Sequence, residues 1–250
     1  MKLGKRPPRL DARTLRLAKY VRALPPPPPA VDWTPDAGPW GMMLNDRIGD
    51  CTIAGAAHLI QLWTGNANPP AVIIPDLQVL AAYEQVGGYN PQDPSTDQGC
   101  VELDVLNFWR QQGIGGHRPV AYVSVNPKNI SEVQLAIAWF GGVYAGVALP
   151  LSAQEQAVWD VTPSSPGDAG SLGGHAIPLV SYGPDCGNGQ PGPRCVTWAA
   201  LKGMTWNWWT TYADEAYALV APDWIEAAGG APSGFDLATL LADLQQIREI

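Results

Sequence analysis

Histidine, phenylalanine and cysteine are all scarce in this chain of 250 residues, which holds three, three and four of them. Any proton transfer that needs an imidazole must use His58, His117 or His175. Four cysteines, Cys51, Cys100, Cys186 and Cys195, are too few for a disulfide framework at this length. Cys186 and Cys195 flank the Gly/Pro-rich segment CGNGQPGPRC, whose turn either brings them together in a bonded hairpin or leaves a reduced, cytosolic pair. They lack the second ligand pair of a zinc ribbon, so no metal is expected. Long apolar runs are missing too. The 22 uncharged residues between Glu132 and Glu155 are split by Gly141-Gly142 into a helix-like half (Val133, Ala136, Ile137, Phe140) and a β-like half (Val143 to Leu149), neither able to span a bilayer. No apolar stretch follows the early basic residues as a secretory signal requires, so a cytoplasmic location is expected.

What is abundant is tryptophan, glycine and proline: 11, 27 and 25 residues. With 46% hydrophobic residues the chain can bury a real core as one large domain or two small ones, rich in loops. The many indoles suggest flat surfaces with polar edges. Net charge is −8, but the signs are segregated. Eight of the fifteen basic residues (Lys2, Lys5, Arg6, Arg9, Arg13, Arg16, Lys19 and Arg22) lie in the first 22 positions, with Asp11 the single acid there. The acidic body repels nucleic acid, whereas the arm can touch phosphates, acidic lipid or the body itself. The arm is expected to dock on the body and cover part of it, held by an attraction that salt weakens; neither a nucleic acid nor a membrane is expected as partner.

The organisation follows from breakers and periodicity. Residues 1–30 form a basic arm with a short helix, DARTLRLAKYVRAL, capped by Asp11 and striped by Leu17, Val21 and Leu24; Pro25 to Pro29 then make a stiff polyproline II spacer. Residues 31–225 form the core, and residues 226–250 end in an amphipathic helix with Phe235, Leu237, Leu240, Leu241 and Leu244 on its apolar side. Helical patterns fill the core from Cys51 to Gln112 (CTIAGAAHLIQLW, DLQVLAAYEQV, VELDVLNFWRQQ), and β-like runs follow (GVYAGVAL, HAIPLVSYG, RCVTWAAL, EAYALV). Such segregation defines an α+β fold with a cleft between two halves.

Cys51 opens a helix of small residues behind Asp50. A helix N-terminus favours thiolate, the nucleophilic form; the Asp50 charge, as N-cap, opposes it. A buried structural cysteine is the alternative reading. His58 sits seven residues along the same helix, about 10 Å up at 1.5 Å per residue and out of reach of Cys51. His117 lies on a loop. His175 begins a β-like run after two glycines, where its ring either projects into a cleft or enters the core.

The order VDW (Val31 to Trp33), Asn45, Cys51, DQGCVELDVLNFWRQQGI, EVQLAIAWFGGVYAGVAL, GGHAIPLVSYG, VTWA and EAYALV resembles the papain-like cysteine peptidases over residues 31 to about 222. The pattern also resembles bacterial and phage proteins of that fold. The resemblance implies a helical half carrying the nucleophile, packed on an antiparallel, β-barrel-like half. It implies Cys51 as nucleophile, His175 as base, and Asn45, in place of the family's glutamine, as an oxyanion donor with the Cys51 N–H. Ile48 stands where the family has a cysteine, small residues replace the Cys-Trp pair after the nucleophile, and Val196 falls at the position of the Asn that orients the histidine. Asn207, in TWNWWTTY, is the nearest amide that could substitute, or else a surface residue over an aromatic floor.

These residues imply a thiol hydrolase acting on a peptide, small amide or ester through a thioester, with no cofactor. The alternative is a catalytically weak binding or phage-structural protein that kept the fold. Nucleic-acid packaging through the arm has the least support.

Overall fold

The computed structural model describes residues 1–21, 26–161, 167–227, 229 and 235–248. Six segments supply the sheet's main path: β2 (Ala121–Ser124), β3 (Val143–Leu149), β4 (Gly173–Gly183), β5 (Gly192–Thr197), β6 (Ala200–Gly203) and β7 (Ala213–Val220). They run in the order β2-β7-β3-β4-β5-β6, and the short β1 (Val31–Asp32) also pairs with β4. All these pairings are antiparallel. The sheet is open, with β2 and β6 at its ends, so the barrel-like half expected from the sequence is a twisted wall and not a closed barrel.

Each face of that wall has its own core because side chains alternate along a strand. On one face Tyr144, Val180, Tyr217 and Leu219 meet the helical half. That half holds α2 (Cys51–Ala67), α3 (Asp76–Gly87) and α4 (Glu102–Gln112), with α7 (Pro222–Ala227) closing it. On the other face Val143, Ala145, Val147, Ile177 and Ala216 pack with residues of α5 (Ile130–Phe140) and α6 (Trp206–Tyr212). The helix α2 shows little amphipathic character: every residue from Cys51 to Gly65 is buried, the mark of an internal helix packed on all sides. Its small residues let it lie against β3 and β4, where an added Cβ at Gly55 would stand 3.5 Å from Tyr144 and 3.6 Å from Pro178.

The uncharged stretch divides where the sequence suggested. Helix α5, capped at its start by the Asn129 side chain on the Glu132 N–H, ends at Gly141 in the left-handed region (φ 62°), and β3 follows. Among the described residues no helix is long and apolar enough to cross a membrane.

The arm is more extended than its sequence suggests. Its helix α1 is only Leu17–Tyr20; Asp11 pairs with Arg13 rather than capping it, and Leu24 and Pro25 lie outside the described residues. Leu17 and Tyr20 are fully buried in the sheet's second core, and Val21 bridges to Phe235. The C-terminal helix α8 (Leu237–Arg248) packs beside them through Leu237, Leu240 and Leu244, while Leu241 is 40% exposed. Pro28 docks on the core, its carbonyl accepting the Tyr182 hydroxyl at 2.8 Å.

Candidate active site

The first turn of α2, the start of β4 and the β5–β6 turn converge on one narrow pocket. Its lining includes Asn45, Cys51, His58, His175, Thr197 and Trp198. The Ala176 N–H, one residue past His175, points to the Cys51 sulfur at 3.5 Å. His175 Nε2 lies 2.7 Å from the Thr197 hydroxyl, and its Nδ1 is buried without a partner. The Trp198 ring stacks on the imidazole at 4.4 Å with planes 15° apart. That stacking depends on a strained turn: Trp198 and Ala199, the two residues linking β5 to β6, have φ of 46° and 62°. A two-residue hairpin turn with positive φ at both positions normally takes glycine or asparagine there.

Thr197 thus supplies the hydroxyl beside His175, while Val196, which the resemblance aligns with the family's Asn, lines the same pocket without a polar group. The signal for that hydroxyl lay in VTWA, immediately before the tryptophan. Asn207 is an exposed residue near the start of α6 and is not among the residues lining the pocket. His58 lines the pocket but bonds the Gly41 carbonyl at 2.9 Å and meets Trp40 edge-on. Burial lowers its pKa to about 4. His117 pairs with Asp223 at 3.0 Å, outside the pocket lining.

Asp50 and Asn45 behave differently from their sequence assignments. The Asp50 side chain makes no capping bond to α2. It is fully buried and accepts the Asn45 amide at 3.1 Å. Desolvation raises its pKa to about 8, which lessens its charge near neutral pH, but the charge it does carry still opposes a thiolate at Cys51. The Asn45 Nδ2 also bonds the Ile48 carbonyl at 3.3 Å, so its donors are turned toward the loop. Burial pushes the Cys51 thiol up to about 12 and His175 down to about 3. The pair is held as neutral thiol and neutral imidazole. All four cysteines are free thiols, Cys186 and Cys195 included.

The cause of this burial is the chain's own N-terminus, which crosses the pocket. Lys2 N–H bonds the Asn45 carbonyl at 2.9 Å, and the Trp198 indole bonds the Lys2 carbonyl at 3.2 Å. The Gly4 backbone favours the Cys51 thiolate, against the larger opposing effect of burial. Lys5 N–H reaches the Gly174 carbonyl at 3.2 Å, while the Cys100 N–H donates to the Gly4 carbonyl and the Arg6 N–H donates to the Cys100 carbonyl, both at 2.8 Å. The track is shaped for bare backbone: a Cβ at Gly99 would lie 1.8 Å from the Gly4 carbonyl oxygen, and one at Gly174 would lie 2.3 Å from that of Lys5. Beyond Trp198 the groove opens into a cavity of about 410 Å³ lined by Met1, Leu3, Trp159, Leu172 and Lys202 among others.

With this geometry in hand, the chain has the papain-like cysteine protease fold. It is similar to xylellain, a cysteine protease from Xylella fastidiosa, at TM-score 0.63 and 17% identity over 87% of this chain and 95% of that one. It is also similar to digestive procathepsin L 3 from the larval midgut of Tenebrio molitor (TM-score 0.62, 13% identity, 87% of this chain and 75% of that one). A third is the bromelain protease from Ananas comosus in complex with the E64 inhibitor (TM-score 0.57, 14% identity, 77% and 99%). No family model and no curated protein sequence matches the chain.

Proposed function

We propose that this chain is a thiol hydrolase of peptide or amide bonds held closed by its own N-terminal segment. The observation that carries the reading is the meeting of Cys51, His175 and Thr197 in one pocket beneath residues 2–6. With Nε2–H donated to Thr197, the ring keeps Nδ1 free to take the thiol proton. The sulfur attacks the carbonyl carbon, the N–H of Cys51 at the start of α2 stabilises the oxyanion, and Asn45 joins it after releasing Asp50. Imidazolium returns the proton to the leaving amine. Water, deprotonated by the same ring, hydrolyses the thioester, so no cofactor takes part. Four free thiols support a reducing, cytoplasmic setting.

The inward-turned Asn45 amide favours a second reading, a binding or phage-structural protein with weak catalysis. The two are separated by a Gly4→Ala chain incubated with a peptide mixture. Cleavage that disappears in Gly4→Ala/Cys51→Ala supports the hydrolase, and a chain that labels at Cys51 yet cleaves nothing supports the binding protein.

A further inference from the structure

Lys5 is a charged arm residue whose side chain enters the protein. That side chain is 1% exposed, and its ammonium lies 2.9 Å from Asp214 and 3.0 Å from Glu215 on β7. A third carboxylate, Glu102 in the first turn of α4, is fully buried with both oxygens lacking a hydrogen-bond partner. The Tyr217 hydroxyl holds the other Glu215 oxygen at 2.8 Å. On the adjacent strand β3 presents Gly146, paired in register with Glu215. A Cβ there would stand 1.9 Å from Lys5 Cε. The result is a slot just wide enough for an alkyl stem, ending in carboxylates from two elements.

Burial opposes the charge on Lys5, but Glu102, Glu215 and Asp214 outweigh it and raise its pKa. Desolvation raises Glu102 and Glu215, with repulsion from Glu215 adding to the first and from Asp214 to the second, while Lys5 lowers both. Buried acids without a cation are costly, so the slot demands a positive occupant. Its place in the track matters as much as its charge. Lys5 is one residue from Gly4, whose backbone meets the Cys51 thiol, and its own N–H bonds the carbonyl preceding His175. A peptide lying in the same track would bring a side chain to the same slot.

We propose that the Glu102–Asp214–Glu215 slot selects substrates carrying a lysine or arginine side chain one residue from the reacting carbonyl, with Lys5 as the resident competitor. The substrate assignment rests on the thiol-hydrolase reading; the cation site itself does not.

Two measurements keep those apart. First, the full-length Lys5→Ala chain is heated with and without about 10 mM n-butylammonium chloride. The amine is expected to raise its Tm by several degrees, to leave the wild type and Lys5→Ala/Gly146→Val unmoved, and n-butanol is expected to do nothing. No shift specific to Lys5→Ala overturns the cation site. Second, Gly4→Ala is given otherwise identical fluorogenic peptides with Lys, Arg, norleucine or Glu at the position before the residue bearing the scissile carbonyl. Lys and Arg are expected to exceed norleucine at least tenfold in kcat/KM, a preference lost in Gly4→Ala/Glu215→Gln. Equal turnover across the set overturns the selectivity and leaves the hydrolase standing. Amine rescue with no turnover of any peptide overturns the hydrolase and leaves a site for a lysine-like cation.

Discussion

Replacing Gly4 by alanine drives an atom into backbone. An added Cβ meets the Gly49 carbonyl oxygen at 1.7 Å and its carbon at 2.3 Å, and neither belongs to a flexible side chain that could swing away. The segment over Cys51 must leave its track, while Leu17 and Tyr20, buried further along the arm, keep the rest of it in the core. This makes one substitution a cleaner release than removal of residues 1–30, which would strip both from the core. The magnitude follows from the thiol. At pH 7 a group titrating at about 12 is thiolate to roughly one part in 10⁵. Merely returning it to the ~8.5 of free cysteine raises that fraction about 3,000-fold, and pairing with His175 raises it further. The assay is iodoacetamide labelling followed by mass spectrometry of all four cysteines. Cys51 is expected to accelerate by about three orders of magnitude in Gly4→Ala while Cys100 and Cys195, both buried, stay slow. A Cys51 rate within twofold of wild type refutes the blocked-cleft argument. Equal acceleration of all four thiols shows unfolding and refutes it as well.

The other residues of the site give sharper tests. In the Gly4→Ala background, Thr197→Val is expected to lower kcat about 10- to 100-fold with little change in KM, and Thr197→Ser to restore most of it, because the hydroxyl positions the His175 ring without touching substrate. His175→Ala in that background is expected to move the pH midpoint of Cys51 labelling up by more than about one unit, with His58→Ala neutral because His58 is bonded to Gly41. Asp50 has a folded pKa near 8, above its unfolded value, so its native state binds the proton more tightly and stability falls as pH rises from about 4 to 8. Asp50→Asn is expected to flatten that part of the stability profile in urea titrations at pH 5 and 8. Ala199→Gly removes a left-handed strain at φ 62° and is expected to stabilise the fold by about 1 kcal/mol in the same titrations.

The fold was legible where periodicity and breakers agree. Helices α2 to α4 and strands β3, β4 and β7 match their runs because each is long and bounded by Gly, Pro or Asp. The short β2 escaped notice: its four residues become a strand only by pairing with β7. Helix α6 was hidden in TWNWWTTY because three bulky indoles read as a surface, whereas Thr205 caps it and turns Trp208 and Trp209 inward. At the site, Cys51 and His175 could be singled out only through the family resemblance of the segments around them, and both line one pocket. The roles of Thr197, Asp50 and Asn45 could not, since each depends on a hydrogen bond set by loop geometry. The slot for Lys5 joins residues 5, 102, 146, 214 and 215, a set with no local signature at all.

Segregated charge correctly suggested that the arm would meet the body, but the docked arm is held by something other than net attraction. The Arg9–Asp104 pair is about half exposed, with side chains at 49% and 43%, and in Lys19–Asp243 the lysine is 58% exposed. Pairs of that kind contribute about 0 to 1 kcal/mol and fade as the Debye length shrinks from about 10 Å at 0.1 M salt to about 3 Å at 1 M. The Lys5 side chain, at 1% exposure among carboxylates, lies beyond the reach of bulk ions, and the ladder to Cys100 and Gly174 is made of backbone hydrogen bonds. Salt therefore acts on the periphery of the arm while residues 2–6 over the cleft stay in place. What can open the cleft is a change at the slot itself, through protonation of its carboxylates or exchange of one cation for another. The group that holds the arm down is thus the same kind of group the slot would recognise in a substrate.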